Sequence, residues 1–325
     1  MSVIEQAAKR LQELQRAGVE SARGGETTIE RLGAKTAAAS KPSSSAAGDY
    51  ADAKPRQEHG GGVPEKQPVQ DGVSRPSVES RRIELDLARL AASGIVTPNA
   101  PRSQQSDEFR VVKRPLIEYA TKKADGSIRN ANLIIVTSSM PGEGKSFTAS
   151  NLAMSIAMEL DRTVLLVDAD VARPSLPKML GLPPAKGLLD LLLDDSLDLS
   201  DVLLKSNVET LSILTSGTPH ARATELLASD AMSRLLEQMA DRYHDRLIIF
   251  DSPPLLVTTE ARVLASHMGQ VVLVVQAART AQADVVQALS TIESCPVKML
   301  VLNQARAAAS GGYGYGYGYG YGYGS

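Results

Sequence analysis

Residues 133–146 read Leu133-Ile134-Ile135-Val136-Thr137-Ser138-Ser139-Met140-Pro141-Gly142-Glu143-Gly144-Lys145-Ser146. A short apolar, β-branched run predicts a strand. Pro141 and two glycines predict a tight loop, and Gly-Lys-Ser opens onto a helical period that runs from Ser146 to Leu160. A loop in this position surrounds phosphate oxygens with backbone N–H groups at the positive end of a helix. Lys145 then reaches the β and γ phosphates, and the Ser146 hydroxyl is offered to Mg²⁺. Ser139, Met140, Pro141, Gly142, Glu143, Gly144, Lys145, Ser146 and Phe147 are therefore the expected nucleotide-binding segment, with Ser139 in the place of the usual first glycine. The alternative, a loop that only caps a helix, gives a lysine beside Gly144 no structural task.

Working outward, the apolar runs Leu133–Val136, Val164–Val167, Leu211–Leu214, Leu247–Phe250, Val271–Val275 and Val297–Leu302 alternate with helical stretches at Ser146–Leu160, Ala223–Asp241 and Ala281–Glu293. Continuous Val/Ile/Leu strands separated by helices predict a doubly wound α/β domain of the P-loop NTPase type, a mostly parallel sheet with helices on both faces. Its ligand belongs at the carboxyl ends of the strands. Two strands run directly into acids there: Leu165-Leu166-Val167-Asp168-Ala169-Asp170 and Leu247-Ile248-Ile249-Phe250-Asp251. Asp251 resembles the acid that holds Mg²⁺ in such sites, and Asp168 and Asp170 are placed to serve the metal or to activate a hydroxyl. A lone Asp at a strand end is often only the cap of the next helix, but three motifs in order at three strand ends point to ATP with Mg²⁺.

The composition is uneven along the 325 residues. Of 25 glycines, ten lie in residues 1–105 and eight in residues 311–325, so the middle is glycine-poor and suited to one packed core. There is no tryptophan, and the net charge of -2 comes with no basic block, so a nucleic-acid footprint is not expected. The single cysteine, Cys295, excludes an internal disulfide and fits a reducing compartment; four scattered histidines lack metal-ligand spacing. No apolar run reaches the ~20 residues of a membrane span. Residues 1–20 read as a short amphipathic helix, and 21–105 as a mostly disordered linker with a helical patch near 81–92. Residues 106–310 read as the P-loop domain and 311–325 as a tail in which tyrosine alternates with glycine. The first helix is read as an interaction handle; the alternative, for both N-terminal helical patches, is helices packed on the main domain.

Thr137-Ser138 before the Pro141-Gly142-Glu143-Gly144-Lys145-Ser146 loop, Asp168-x-Asp170 with Arg173-Pro174, Asp251-Ser252-Pro253-Pro254 and a tyrosine tail together resemble the bacterial tyrosine kinase (BY-kinase) family. The long N-terminal extension is similar to the exosortase-associated autokinases of exopolysaccharide loci. This resemblance covers about residues 106–325. It implies a tyrosine autokinase whose tail residues Tyr313, Tyr315, Tyr317, Tyr319, Tyr321 and Tyr323 accept phosphate, in the same or a neighbouring subunit. It further implies Asn303 near the adenine, a transmembrane polysaccharide co-polymerase as activator, an opposing tyrosine phosphatase, and a cytoplasmic protein held at the inner membrane by its partner. The family's subunit-contact motif survives as Asp107-x-x-Arg110-x-x-Lys113, implying a homo-oligomer, a ring, through that region. Ala172 stands where the family often has arginine, with Arg173 following.

For chemistry, Lys145 neutralises charge on the transferring phosphoryl group, Ser146 and Asp251 hold Mg²⁺ with Asp168, and Asp168 orients or deprotonates the incoming phenol; Asp170 positions metal or water. Six phosphotyrosines would add roughly -9 to -12 charge units. Two rivals are a partition or division-site ATPase switch and an ATP-binding scaffold with a self-associating tail. The first carries a signature lysine five residues before the loop lysine, where this chain has Met140.

Overall fold

The structure is a computed structural model and describes residues 81–121 and 128–305. The expected helix at 1–20, the linker up to residue 80 and the six tail tyrosines lie outside the described residues.

The strands are β1 (Leu133–Ser138), β2 (Thr163–Asp168), β3 (Leu204–Lys205), β4 (Leu211–Leu214), β5 (Arg246–Asp251), β6 (Gln270–Gln276) and β7 (Val297–Asn303). They form one sheet in the order β3-β4-β2-β5-β1-β6-β7, parallel throughout except for the β3–β4 pair. All six strands read from the sequence are present. The two-residue β3 is too short to leave a pattern.

Alternation along each strand sorts the core into two layers. Ile135, Val167, Ile248, Phe250 and Leu273 meet Leu188, Leu236 and Leu264 on one face. Ile134, Val136, Leu166, Ile249 and Val274 meet Leu152, Ile156, Leu116 and Leu90 on the other. With both faces covered, β1 has all six residues buried, which is why its first four, Leu133–Val136, are apolar without a polar alternate.

Ten helices cover the sheet among the described residues: α1 (Leu87–Ala92), α2 (Gln104–Thr121), α3 (Lys145–Ala157), α4 (Leu176–Leu180), α5 (Leu188–Leu193), α6 (Leu199–Val202), α7 (Ala223–Leu227), α8 (Asp230–Arg242), α9 (Glu260–Ser266) and α10 (Gln282–Ser290). The stretch expected as one helix over 223–241 is two, α7 and α8. Ser229 divides them: its hydroxyl donates to Leu226 O (2.7 Å) and accepts from Met232 N (3.3 Å), so the serine ends one helix and caps the next.

The larger difference lies before residue 106. Residues 81–105, expected as the end of a linker, are packed on the domain, the alternative held open for the helical patch. Ile83 N donates to Lys205 O and Lys205 N to Arg81 O, both at 2.9 Å, so residues 81–86 run extended beside β3 and the helix begins only at Leu87. Leu85, Leu90, Ile95 and Val96 are buried in the layer that also holds α3. Asn151, fully buried on α3, accepts from Val96 N (2.8 Å) and from Gln105 Nε2 (3.3 Å), tying this segment to the helix that follows the phosphate loop. The physical reason is that the apolar residues here had a surface to cover, the open side of α3.

A mutation tests that boundary. Leu90→Ala should destabilise the protein by about 2–5 kcal/mol, the range for emptying a core leucine site, whereas a linker position would change stability by less than about 0.5 kcal/mol. Urea denaturation of the full chain measures the difference.

Candidate nucleotide-binding site

The carboxyl ends of β1, β2 and β5 meet because their register is fixed: Val136 pairs with Asp251, and Asp251 with Asp168. Register therefore sets the two acids side by side on adjacent strands. Asp168 and Asp251 are fully buried and Asp170 nearly so. The loop between β1 and α3 delivers Lys145 into this group. Its Nζ lies 2.6 Å from Asp170 Oδ2 and 3.9 Å from Asp251 Oδ1.

The loop owes its shape to two glycines in the left-handed region, Gly142 at φ +88° and Gly144 at φ +92°. A Cβ at Gly144 would also meet the Asn303 side-chain amide, which would have to shift. The N–H groups of Lys145, Ser146 and Phe147 belong to the first turn of α3 and have no acceptor within the helix, the arrangement that receives an anion.

The electrostatics follow from burial. Desolvation raises Asp168 to about 8, the charge of Asp251 adding to the effect. Desolvation also raises Asp251, to about 6, against the opposing charge of Lys145. Burial by itself would lower the Lys145 ammonium, but the charges of Asp251 and Asp170 outweigh it and hold the group above its ordinary value. Both carboxylate oxygens of Asp251 and Oδ1 of Asp168 are buried without a hydrogen-bond donor. Oxygens left bare in a dry place beside a serine hydroxyl suit a hard divalent cation. Ser146, Asp251 and Asp168 fit Mg²⁺, which takes one or two carboxylates together with phosphate and water.

Not every residue of the expected set faces a ligand. Glu143 is turned inward, its Oε2 accepting from Met140 N (3.0 Å) and its Oε1 from the Thr280 hydroxyl. The Met140 N–H is therefore used inside the loop. Ser139 is buried with its hydroxyl unpaired, and the Phe147 ring packs in the α3-side layer, leaving only its backbone toward the helix start. Pro141 is exposed at the loop tip. Asn303, expected near the adenine, donates through Nδ2 to Glu143 O (2.9 Å). The Arg173 backbone N–H donates to Asp170 Oδ1 (3.2 Å), helping to fix that acid, while its side chain is exposed. Sequence reasoning missed Thr280 and Asn151, which belong to no motif; only their contacts reveal them.

The expected subunit-contact trio divides. Asp107 pairs with Arg102 (3.0 Å) and Arg110 (3.1 Å) on the surface of α2. Lys113 does not join them. It is 3 % exposed, and its Nζ reaches Glu159 Oε1 (2.7 Å) and the Ser155 carbonyl within the same chain. Its hydrogen bond holds the Glu159 carboxyl below its ordinary range. Burial of the lysine stem against α3 removes Lys113 from the expected interface.

A glycine-shaped loop at a helix start, its lysine among strand-end acids, on a parallel sheet of this order, defines a P-loop NTPase. The family described as "ParA: NUBPL iron-transfer P-loop NTPase" matches residues 129–305. Tyrosine-protein kinase YwqD of Bacillus subtilis is 32% identical over 206 residues, 63% of this chain and 83% of that protein. The succinoglycan biosynthesis transport protein ExoP of Rhizobium meliloti is 29% identical over 187 residues, 57% of this chain but only 23% of ExoP. Among solved structures, the chimerical protein CapA2B2 superposes with a TM-score of 0.54 at 28% identity, covering 64% of this chain and 89% of that one. The chain belongs to the bacterial tyrosine kinase family, within the wider ParA-like class of P-loop NTPases, and uses a nucleotide with a divalent metal.

Two raised carboxyls give a pH test with a defined sign. The folded state holds these protons more tightly than the unfolded chain, so their contribution to stability is complete below about pH 4 and is lost as pH rises through about 6 and about 8. Asp168→Asn should flatten the fall in melting temperature of the nucleotide-free protein between pH 5.5 and 8.5, while weakening binding of Mg²⁺·nucleotide. Thermal denaturation across that range, with a parallel binding titration, checks both.

Proposed function

We propose that the protein is an ATP-dependent protein-tyrosine autokinase that phosphorylates Tyr313, Tyr315, Tyr317, Tyr319, Tyr321 and Tyr323 of its own or a neighbouring subunit's tail, regulating exopolysaccharide synthesis or export. The observation that carries the reading is the convergence of Lys145, Asp168, Asp170 and Asp251 at one phosphate loop, in a chain that ends in six glycine-spaced tyrosines.

The phenol oxygen attacks the γ-phosphorus of ATP and the bond to the β–γ bridging oxygen breaks, giving phosphotyrosine and ADP. A phenol of pKa ~10 is neutral at pH 7, so its proton must leave during the transfer. Asp168 is assigned to orient the phenol and take that proton. Lys145 exchanges Asp170 for the β and γ oxygens and neutralises charge there, and Asp170, once released, positions water or metal. The helix-start N–H groups hold the remaining phosphate oxygens. Ser146, Asp251 and Asp168 would hold Mg²⁺, which would supply charge neutralisation for the phosphate oxygens.

The partners follow from the same reading. An activator of the polysaccharide co-polymerase type would hold the kinase at the cytoplasmic face of the inner membrane, and a tyrosine phosphatase would reset it. No helix among the described residues is long and apolar enough to cross a membrane. Oligomerisation through the Asp107–Arg110 region of α2, without Lys113, is part of the proposal. Met140 at the place of the signature lysine disfavours a partition-type switch.

Incubation with Mg²⁺·ATP followed by phosphopeptide mass spectrometry tests the proposal. Label on Tyr313–Tyr323 is expected in the native chain and absent in Lys145→Met. ATP binding without any tail label would reject the kinase reading in favour of a switch or scaffold.

A further inference from the structure

A carboxylate is an unexpected neighbour in a loop that receives anions, and Glu143 is 3 % exposed there. Its charge is met by hydrogen-bond donors: the Met140 N–H closes the loop on itself across three residues, and the Thr280 hydroxyl reaches in from the turn between β6 and α10. The backbone of the same residue is anchored separately, since Asn303 Nδ2 donates to Glu143 O at 2.9 Å. Residue 143 is thus tied at its carboxylate to the turn after β6 and at its carbonyl to the end of β7.

The turn that presents Thr280 is itself over-determined. Thr280 Oγ1 accepts from Gln276 N (3.0 Å) while donating to Glu143, Thr280 N donates to Gln276 O (3.1 Å), and Ala277 N donates to Asn303 O (2.9 Å). Ala278 sits at φ +58°, a region that costs a residue with a Cβ and persists only where surrounding bonds hold it.

We infer that Thr280 is a positioning residue that holds the phosphate loop in its anion-accepting shape through Glu143. The loop then meets a nucleotide already formed. Without the Thr280 hydroxyl, the buried carboxylate loses one of its two donors, and the loop is free to turn Glu143 outward, toward the place where phosphate must sit. The inference rests on residues 139–146 being the nucleotide-phosphate site, and it predicts an effect on every ligand that enters through its phosphates.

The test uses the full chain with Mg²⁺·ATP and, separately, pyrophosphate as probes, by calorimetric titration. Thr280→Val keeps the shape and branching of the side chain and should weaken both ligands about tenfold, with Thr280→Ser restoring them to within about twofold. In a Glu143→Ala background, Thr280→Val should add less than about twofold, because the two residues act as one unit. A lowered melting temperature with both affinities unchanged would reduce Thr280 to a turn former and overturn the inference. So would loss confined to ATP, or independent effects of the two substitutions. Failure of the unaltered chain to bind Mg²⁺·ATP would instead reject the nucleotide site itself.

Discussion

Lys145 and three carboxylates share one dry end of the sheet, and each of them depends on the others to be there. A buried carboxylate is costly unless a cation or donors meet it, and a buried ammonium is costly for the same reason. Here one ammonium faces Asp170 and Asp251 directly, while Asp168 and Asp251 lie side by side in register. The group remains short of positive charge. Its resolution without a ligand is to retain protons on the acids that burial has pushed up. A divalent metal ion would supply the missing positive charge, so affinity for the metal and reduced stability of the empty protein have the same cause.

Much of this was legible in the sequence because the features involved are short in range. A strand buried on both faces must be a continuous apolar run, and a loop that turns through left-handed residues must contain glycines. Six strands and the loop follow from those two requirements, and the three acids from standing where apolar strand runs stop at the ligand crevice. What was not legible depends on long-range contact. Ile83, Leu85, Leu87 and Leu90 suit an amphipathic helix as well as an extended segment followed by one turn of helix, and only the open flank of α3 and the edge at β3 decide between them. Glu143 within a phosphate loop reads as a ligand contact until Thr280, 137 residues later, is found against it.

Lys113 shows why charge pattern alone misleads. Its spacing from Asp107 and Arg110 suggested one surface motif, yet a lysine has a long apolar stem that packs while its ammonium reaches a partner. On α2 that partner is Glu159 just beyond α3, so the lysine pins two helices of one subunit together. The remaining pair, Asp107 and Arg110, stays on the surface. The segment from Leu85 to Lys113 therefore works as a brace behind the phosphate-loop helix, through Asn151 at one point and Glu159 at another.

The strand order carries a consequence for the way the chain acquires its site. β1 and β2 are consecutive in sequence but not neighbours in the sheet, because β5 lies between them. The pairs that join β1 to β5, such as Leu133 with Ile248, are about 115 residues apart. Contacts of that separation close large loops and form late. During synthesis, Lys145 and Asp170 emerge well before Asp251, and until β5 inserts between its two neighbours there is no sheet edge to align the acids. The nascent chain thus carries its phosphate-loop sequence for more than a hundred residues before the pocket that would use it can close.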